Sequence, residues 1–128
     1  MMTSVFKSEE SRDMIRSRYN QILSAFPFKQ LYIDTSFGKT FILESGVPEN
    51  PPLILLHGSC SNSAFWFGEI SVLSNMFHVL AVDIIGEAGN SEEKRLDLNQ
   101  DGYADWLKEV FDALSIEKAV VMGNSLGS

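Results

Sequence analysis

The sequence is short of the features that mark several broad classes of protein. Cysteine is nearly absent: Cys60 is the only one in 128 residues, which excludes an internal disulfide and any site built from several thiolates. Positive charge is scarce as well. Ten Lys and Arg oppose seventeen Asp and Glu, a net charge of −7, which is the wrong sign for a surface that gathers phosphates, so nucleic acid is not an expected partner. No apolar run approaches the ~18 residues of a membrane span. The opening Met1-Met2-Thr3-Ser4-Val5-Phe6-Lys7 passes directly to Ser8-Glu9-Glu10 without the apolar stretch of a secretion signal. The expected location is therefore cytoplasmic, with no membrane span. Neither G-x-G-x-x-G nor a Walker lysine follows a strand, and no metal-binding cluster or cofactor motif is present, so cofactor and metal are both expected to be none. What remains is an ordinary globular balance, 45% apolar and 21% charged residues, enough for one domain.

Periodicity organises that domain. Ile15, Tyr19, Ile22, Leu23 and Phe26 recur at helical spacing, Glu9 and Glu10 sit where a helix dipole favours anions, and Pro27 closes the element. Lys29 to Thr35 and Thr40 to Glu44 read as a hairpin turning through Ser36-Phe37-Gly38-Lys39. After the turn-rich stretch Gly46 to Pro52 comes Leu53-Ile54-Leu55-Leu56, an unbroken apolar run of the kind found in strands buried on both faces. Ser63 to Asn75 carries Trp66, Ile70 and Leu73 on one helical face, and Phe77 to Asp83 is a second buried strand. A loop runs from Ile84 to about Gln100. Tyr103, Leu107, Val110 and Leu114 then mark an amphipathic helix, and Ala119-Val120-Val121-Met122 a last strand. This alternation predicts an α/β fold: a mostly parallel sheet with an amino-terminal antiparallel hairpin and helices on both faces. The expected division is a helical segment over residues 1–28 and a domain part over 29–128.

Three segments at carboxyl ends of predicted strands carry chemistry. Gly123-Asn124-Ser125-Leu126-Gly127 is a G-x-S-x-G sequence directly after a strand, where a sharp turn lifts the serine hydroxyl above the sheet and small flanking residues, Gly123 and Gly127, leave it room. Ser125 is the candidate nucleophile. His57-Gly58-Ser59-Cys60-Ser61-Asn62-Ser63 follows the strand Leu53 to Leu56 and leads into a helix, so its backbone N–H groups can face a cleft. The amides of Leu126 and of Ser59 or Cys60 are candidate donors to the oxyanion formed when Ser125 attacks a carbonyl. The third segment is Asp83-Ile84-Ile85-Gly86-Glu87-Ala88-Gly89-Asn90-Ser91.

In this order the HG loop, the D-x-x-G…G-x-S segment and the elbow resemble the amino-terminal half of an α/β-hydrolase of the single-chain carboxylesterase-like kind, from about Lys29 onward. That family usually has one residue between the glycines of the second motif, where Glu87 and Ala88 both stand here. The resemblance implies a serine hydrolase of carboxylic esters acting through an acyl-enzyme on Ser125, with Asp or Glu and then His following the serine in chain order. It also implies a sheet order of 1-2-4-3-5-6-7-8, so that the last strand would pair with one beyond Ser128. These residues are thus expected to be the amino-terminal part of a longer hydrolase, inactive alone. Its expected partners are a small ester substrate and, at the open sheet edge, the carboxyl-terminal half of the fold or a second copy.

The upstream ionisable residues fit the role of base poorly. His78 begins its strand, about 17 Å from the rim where Ser125 belongs. His57 is nearer, but the resemblance makes it, with Gly58, a structural residue of the oxyanion loop. Asp83, Asp97 and Asp101 have no imidazole to orient, and Cys60 reads as a packed small residue. Phe65-Trp66-Phe67 reads either as core or as the wall of an acyl pocket. The alternative function is a non-catalytic α/β-hydrolase-like scaffold or binding module that retains the elbow without a working triad.

Overall fold

A computed structural model describes residues 8–57, 62–86, 89–92 and 102–123. Its elements are α1 (Glu9–Leu23), β1 (Lys29–Thr35), β2 (Gly38–Ser45), β3 (Pro52–Leu56), a 3₁₀ turn (Ser63–Trp66), α2 (Phe67–Leu73), β4 (His78–Val82), α3 (Gly102–Ala113) and β5 (Val120–Gly123). The five strands form one sheet in the order β1-β2-β4-β3-β5. β1 and β2 are antiparallel, and β2 joins β4 antiparallel as well. β4, β3 and β5 form the parallel core. The result is a mixed α/β sheet with an amino-terminal hairpin.

The apolar runs become central strands because both faces of the sheet are covered. Phe41, Leu43, Leu53, Leu55, Val79 and Ala81 point to one side, where they pack with Tyr19 and Leu23 of α1, Trp66 of the 3₁₀ turn and Ile70 of α2. Their alternates Ile42, Ile54, Leu56, Leu80 and Val82 point to the other, against Trp106 and Val110 of α3. Trp106 also donates through Nε1 to Thr40 Oγ1 at 2.8 Å, both groups being buried. Ser36 at the hairpin tip donates its backbone N–H and its hydroxyl to the Glu109 carboxylate of α3. Those bonds to the charged form lower the Glu109 pKa. Gly38, at φ +125°, closes the two-residue hairpin turn in a conformation that other residues rarely adopt.

Two helices differ in extent from their sequence patterns. α1 stops at Leu23, before the expected Pro27, because Ser24 to Phe26 form turn bonds. Phe26 and Phe28 then stack at 5.4 Å and both rest on Phe67. Ile15 and Ile22 of the expected apolar stripe are exposed. The helix meets the sheet along a narrower face, through Tyr19 and Leu23. The expected helix from Ser63 to Asn75 is divided into the 3₁₀ turn and α2. Among the described residues no helix is long and apolar enough to cross a membrane.

Candidate active site

Parallel pairing brings three strand ends together. Leu56 ends β3 and lies in register with Val82 of β4 on one side and Gly123 of β5 on the other. The three strands therefore end side by side at Leu56, Val82 and Gly123, with His57 and Asp83 directly following the first two. This is the carboxyl rim, where ligands of open α/β sheets bind. Ser125, Leu126, Gly127, Gly58, Ser59 and Cys60 lie outside the described residues, as do Asp97 and Asp101. His57, Asp83 and Gly123 are described, and they carry the geometry of the rim.

Asp83 is fully buried. Its Oδ1 accepts from the Tyr19 phenol at 3.0 Å and from the Ser63 backbone N–H at 2.9 Å, and its Oδ2 accepts from the Asn90 backbone N–H at 3.0 Å. Three donors offset what burial of a carboxylate costs. The Asp83 carbonyl accepts from Ser91 Oγ, which in turn accepts from the Phe41 N–H of β2. His57 is equally buried, and its Nε2 accepts from the Ile84 N–H at 2.9 Å. Accepting there places the ring proton on Nδ1. His78 stands at the opposite end of the sheet, with Nε2 against Glu44 Oε2 and Lys29 3.8 Å from the same carboxylate. Of the aromatic trio, Trp66 and Phe67 pack into the core while Phe65 is half exposed.

Residues 51–128 match the family model of the alpha/beta hydrolase fold. The chain belongs to that family. It is 42% identical over 111 residues to the uncharacterized carboxylesterase nap of Bacillus subtilis (strain 168), covering 85% of this chain and 37% of that protein. It is 40% identical over 124 residues to the carboxylesterase YbfK of the same organism, covering 95% of this chain and 42% of the relative. Among solved structures, carboxylesterase CesB (YbfK) superposes with a TM-score of 0.83 at 40% identity, over 92% of this chain and 42% of that one. Naproxen esterase of B. subtilis superposes with a TM-score of 0.82 at 40% identity, over 94% and 42%. The chain thus spans about two-fifths of the length of these carboxylesterases.

One part of this hydrolase rim is not anticipated by motif reading. Arg16, Tyr19 and Asn20 project from α1 onto the segment after β4. Arg16 donates through Nε to the Gly89 carbonyl and through Nη2 to the Ser91 carbonyl, and Asn90 Nδ2 donates to Asn20 Oδ1 at 2.8 Å. The available signal was spacing, since Arg16, Tyr19, Asn20 and Leu23 fall at i, i+3, i+4 and i+7 on one helical face. Burial raises the Tyr19 pKa well above its ordinary value, and the charge of Asp83 and the hydrogen bond to it act in the same direction. Burial also raises the Tyr32 pKa; Asp83 adds to the rise and Arg16 opposes it. Gly89 packs so closely that a Cβ there would lie 2.5 Å from Asp83 Oδ2. Among the described residues no group of three or more His, Cys, Asp or Glu is placed to hold a metal ion.

Proposed function

We propose that this chain supplies the nucleophile and oxyanion hole of a serine hydrolase acting on carboxylic esters. Ser125 Oγ attacks the ester carbonyl while its proton passes to a histidine, and the amides of Leu126 and of Ser59 or Cys60 receive the developing oxyanion. Collapse of the tetrahedral intermediate releases the alcohol with that proton and leaves an acyl-Ser125. Water then hydrolyses the acyl-enzyme to the carboxylic acid and restores the serine. The histidine and its carboxylate partner come from sequence beyond residue 128. His57 and Gly58 hold the oxyanion loop, and Gly123 and Gly127 give the elbow its room.

The observation that carries this reading is the register of Leu56 beside Gly123. It sets the start of the HG loop and the start of the G-x-S-x-G segment on neighbouring strands at one end of the sheet. The two described histidines support an outside base, because His57 is engaged by Ile84 and His78 lies at the far end. Residues 29–128 are on this reading the amino-terminal part of the hydrolase domain, preceded by the helical segment 1–28, in a cytoplasmic protein. The partner of β5, an edge strand with Val120, Val121 and Met122 exposed, is a strand of the carboxyl-terminal half, or of a second copy.

Fluorophosphonate labelling tests the proposal. A polypeptide that continues past Ser128 through the acid and the histidine should label covalently and lose labelling on Ser125→Ala. The 128-residue chain alone should not turn over an activated ester. Labelling indifferent to Ser125→Ala would leave the scaffold reading in its place. A Ser125-dependent burst from the 128-residue chain would show that the base lies within it.

A further inference from the structure

Two consecutive residues at the end of β4 hold both ends of the HG loop. The Ile84 N–H bonds His57 Nε2 at the loop's start, and Asp83 Oδ1 accepts from the Ser63 N–H at its end. Asp83 is itself held by α1, because the Tyr19 phenol donates to the same Oδ1. We propose that Tyr19 is a positioning residue for the oxyanion loop, acting through Asp83 from a helix that precedes the sheet; this rests on the ester-hydrolase reading above.

Geometry favours this role over packing alone. A phenylalanine would fill the same space among Phe41, Leu23 and Trp66, so packing does not require the hydroxyl. The hydroxyl is aimed at a buried carboxylate that carries a backbone donor of the loop. Oxyanion donors act only if fixed before the reaction, so a residue that fixes their anchor contributes without touching substrate. Arg16 and Asn20 belong to the same clamp. They tie down Gly89 to Ser91, and Asn90 supplies the donor to Asp83 Oδ2. Asp83 is thereby gripped on both oxygens, by α1 directly and by α1 through the 89–91 segment.

Amide hydrogen exchange on a hydrolase polypeptide that contains this chain and continues past Ser128 tests the clamp, with Leu23→Ala as the control that removes apolar packing from the same helix. Tyr19→Phe is expected to speed exchange at the Ser63 and Asn90 amides roughly tenfold more than at Leu53–Leu56 and Val79–Val82, as the loss of a hydrogen bond to a charged acceptor implies. Leu23→Ala is expected to speed all of these together. In an ester-hydrolysing polypeptide containing this chain, Tyr19→Phe should lower kcat with KM unchanged. A uniform rise in exchange for Tyr19→Phe, or a change confined to KM, overturns the assignment. The exchange experiment does not involve Ser125. Localised exchange with unlabelled Ser125 keeps the clamp and removes the ester chemistry, whereas uniform exchange with labelled Ser125 does the reverse.

Discussion

Replacing Gly89 by alanine places a methyl group where the Asp83 carboxyl now lies. A Cβ at residue 89 would be 2.5 Å from Oδ2, 2.7 Å from Cγ and 3.1 Å from Cβ of Asp83, whereas carbon atoms rest at about 3.5–4.0 Å. The carboxyl or the 89–91 segment must retreat by about 1 Å. Asp83 has little freedom to do so, because it is buried and bonded on both oxygens. The Asn90 bond to Oδ2 is the first to suffer, since it comes from the residue next to the new methyl. Hydrogen bonds to charged groups contribute about 1.5–3 kcal/mol each. Losing one and bending the others should cost about 2–4 kcal/mol. At a urea dependence of about 1–3 kcal/mol/M, the midpoint should fall by roughly 0.7–4 M. Urea unfolding followed by the fluorescence of Trp66 and Trp106, which lie on opposite faces of the sheet, measures it. A double-mutant cycle isolates the cause: in an Asp83→Ala background the same alanine should cost far less. An equal cost in both backgrounds would show that the contact is not responsible.

Other substitutions should behave differently for stated reasons. Gly68→Ala in α2 meets nothing within 4 Å and should raise stability by up to about 1 kcal/mol in the same urea assay. Trp106→Phe leaves the buried Thr40 hydroxyl without its indole donor and should cost about 1–3 kcal/mol, most visibly as faster exchange in β2. The raised Tyr19 pKa has a definite sign. The folded chain keeps a phenolic proton that the unfolded chain gives up near pH 10, so this contribution is complete below that pH. It should be lost as pH rises further, by about 1.4 kcal/mol per unit. Tyr19→Phe should flatten that slope in urea titrations between pH 9 and 11, and an unchanged slope would contradict the buried-phenol account. The lowered Glu109 pKa acts at the acid end. Its contribution is present above the ordinary carboxylate range and lost as pH falls through the folded pKa, so Ser36→Ala should weaken the acid dependence of hairpin exchange.

The strands were readable because their cause is local. Leu53 to Leu56 and Val79 to Val82 are apolar at every position, and such runs suit strands whose successive side chains enter two different cores. The hairpin turn and α3 followed from equally short-range signals. The inward face of α1 was harder to see. Ile15 and Ile22 carry the apolar character but face solvent, while Arg16 and Asn20 turn toward the 89–91 segment. Hydropathy ranks Arg16 as more outward than Ile15 and Ile22, although Arg16 is the more buried, because a guanidinium is as well placed inward as an apolar group when backbone carbonyls await it.

Residue order alone therefore established the alternation of helix and strand and the three glycine-containing segments that follow strands. Which of those segments stand side by side depended on strand pairing, since the order β1-β2-β4-β3-β5 puts Leu56 between Val82 and Gly123. The roles of His57, Asp83 and Tyr19 depended on it as well. Their bonds join residues 27, 20 and 64 positions apart in the chain, and contacts at that separation exist only once the sheet has brought its strand ends to a common rim.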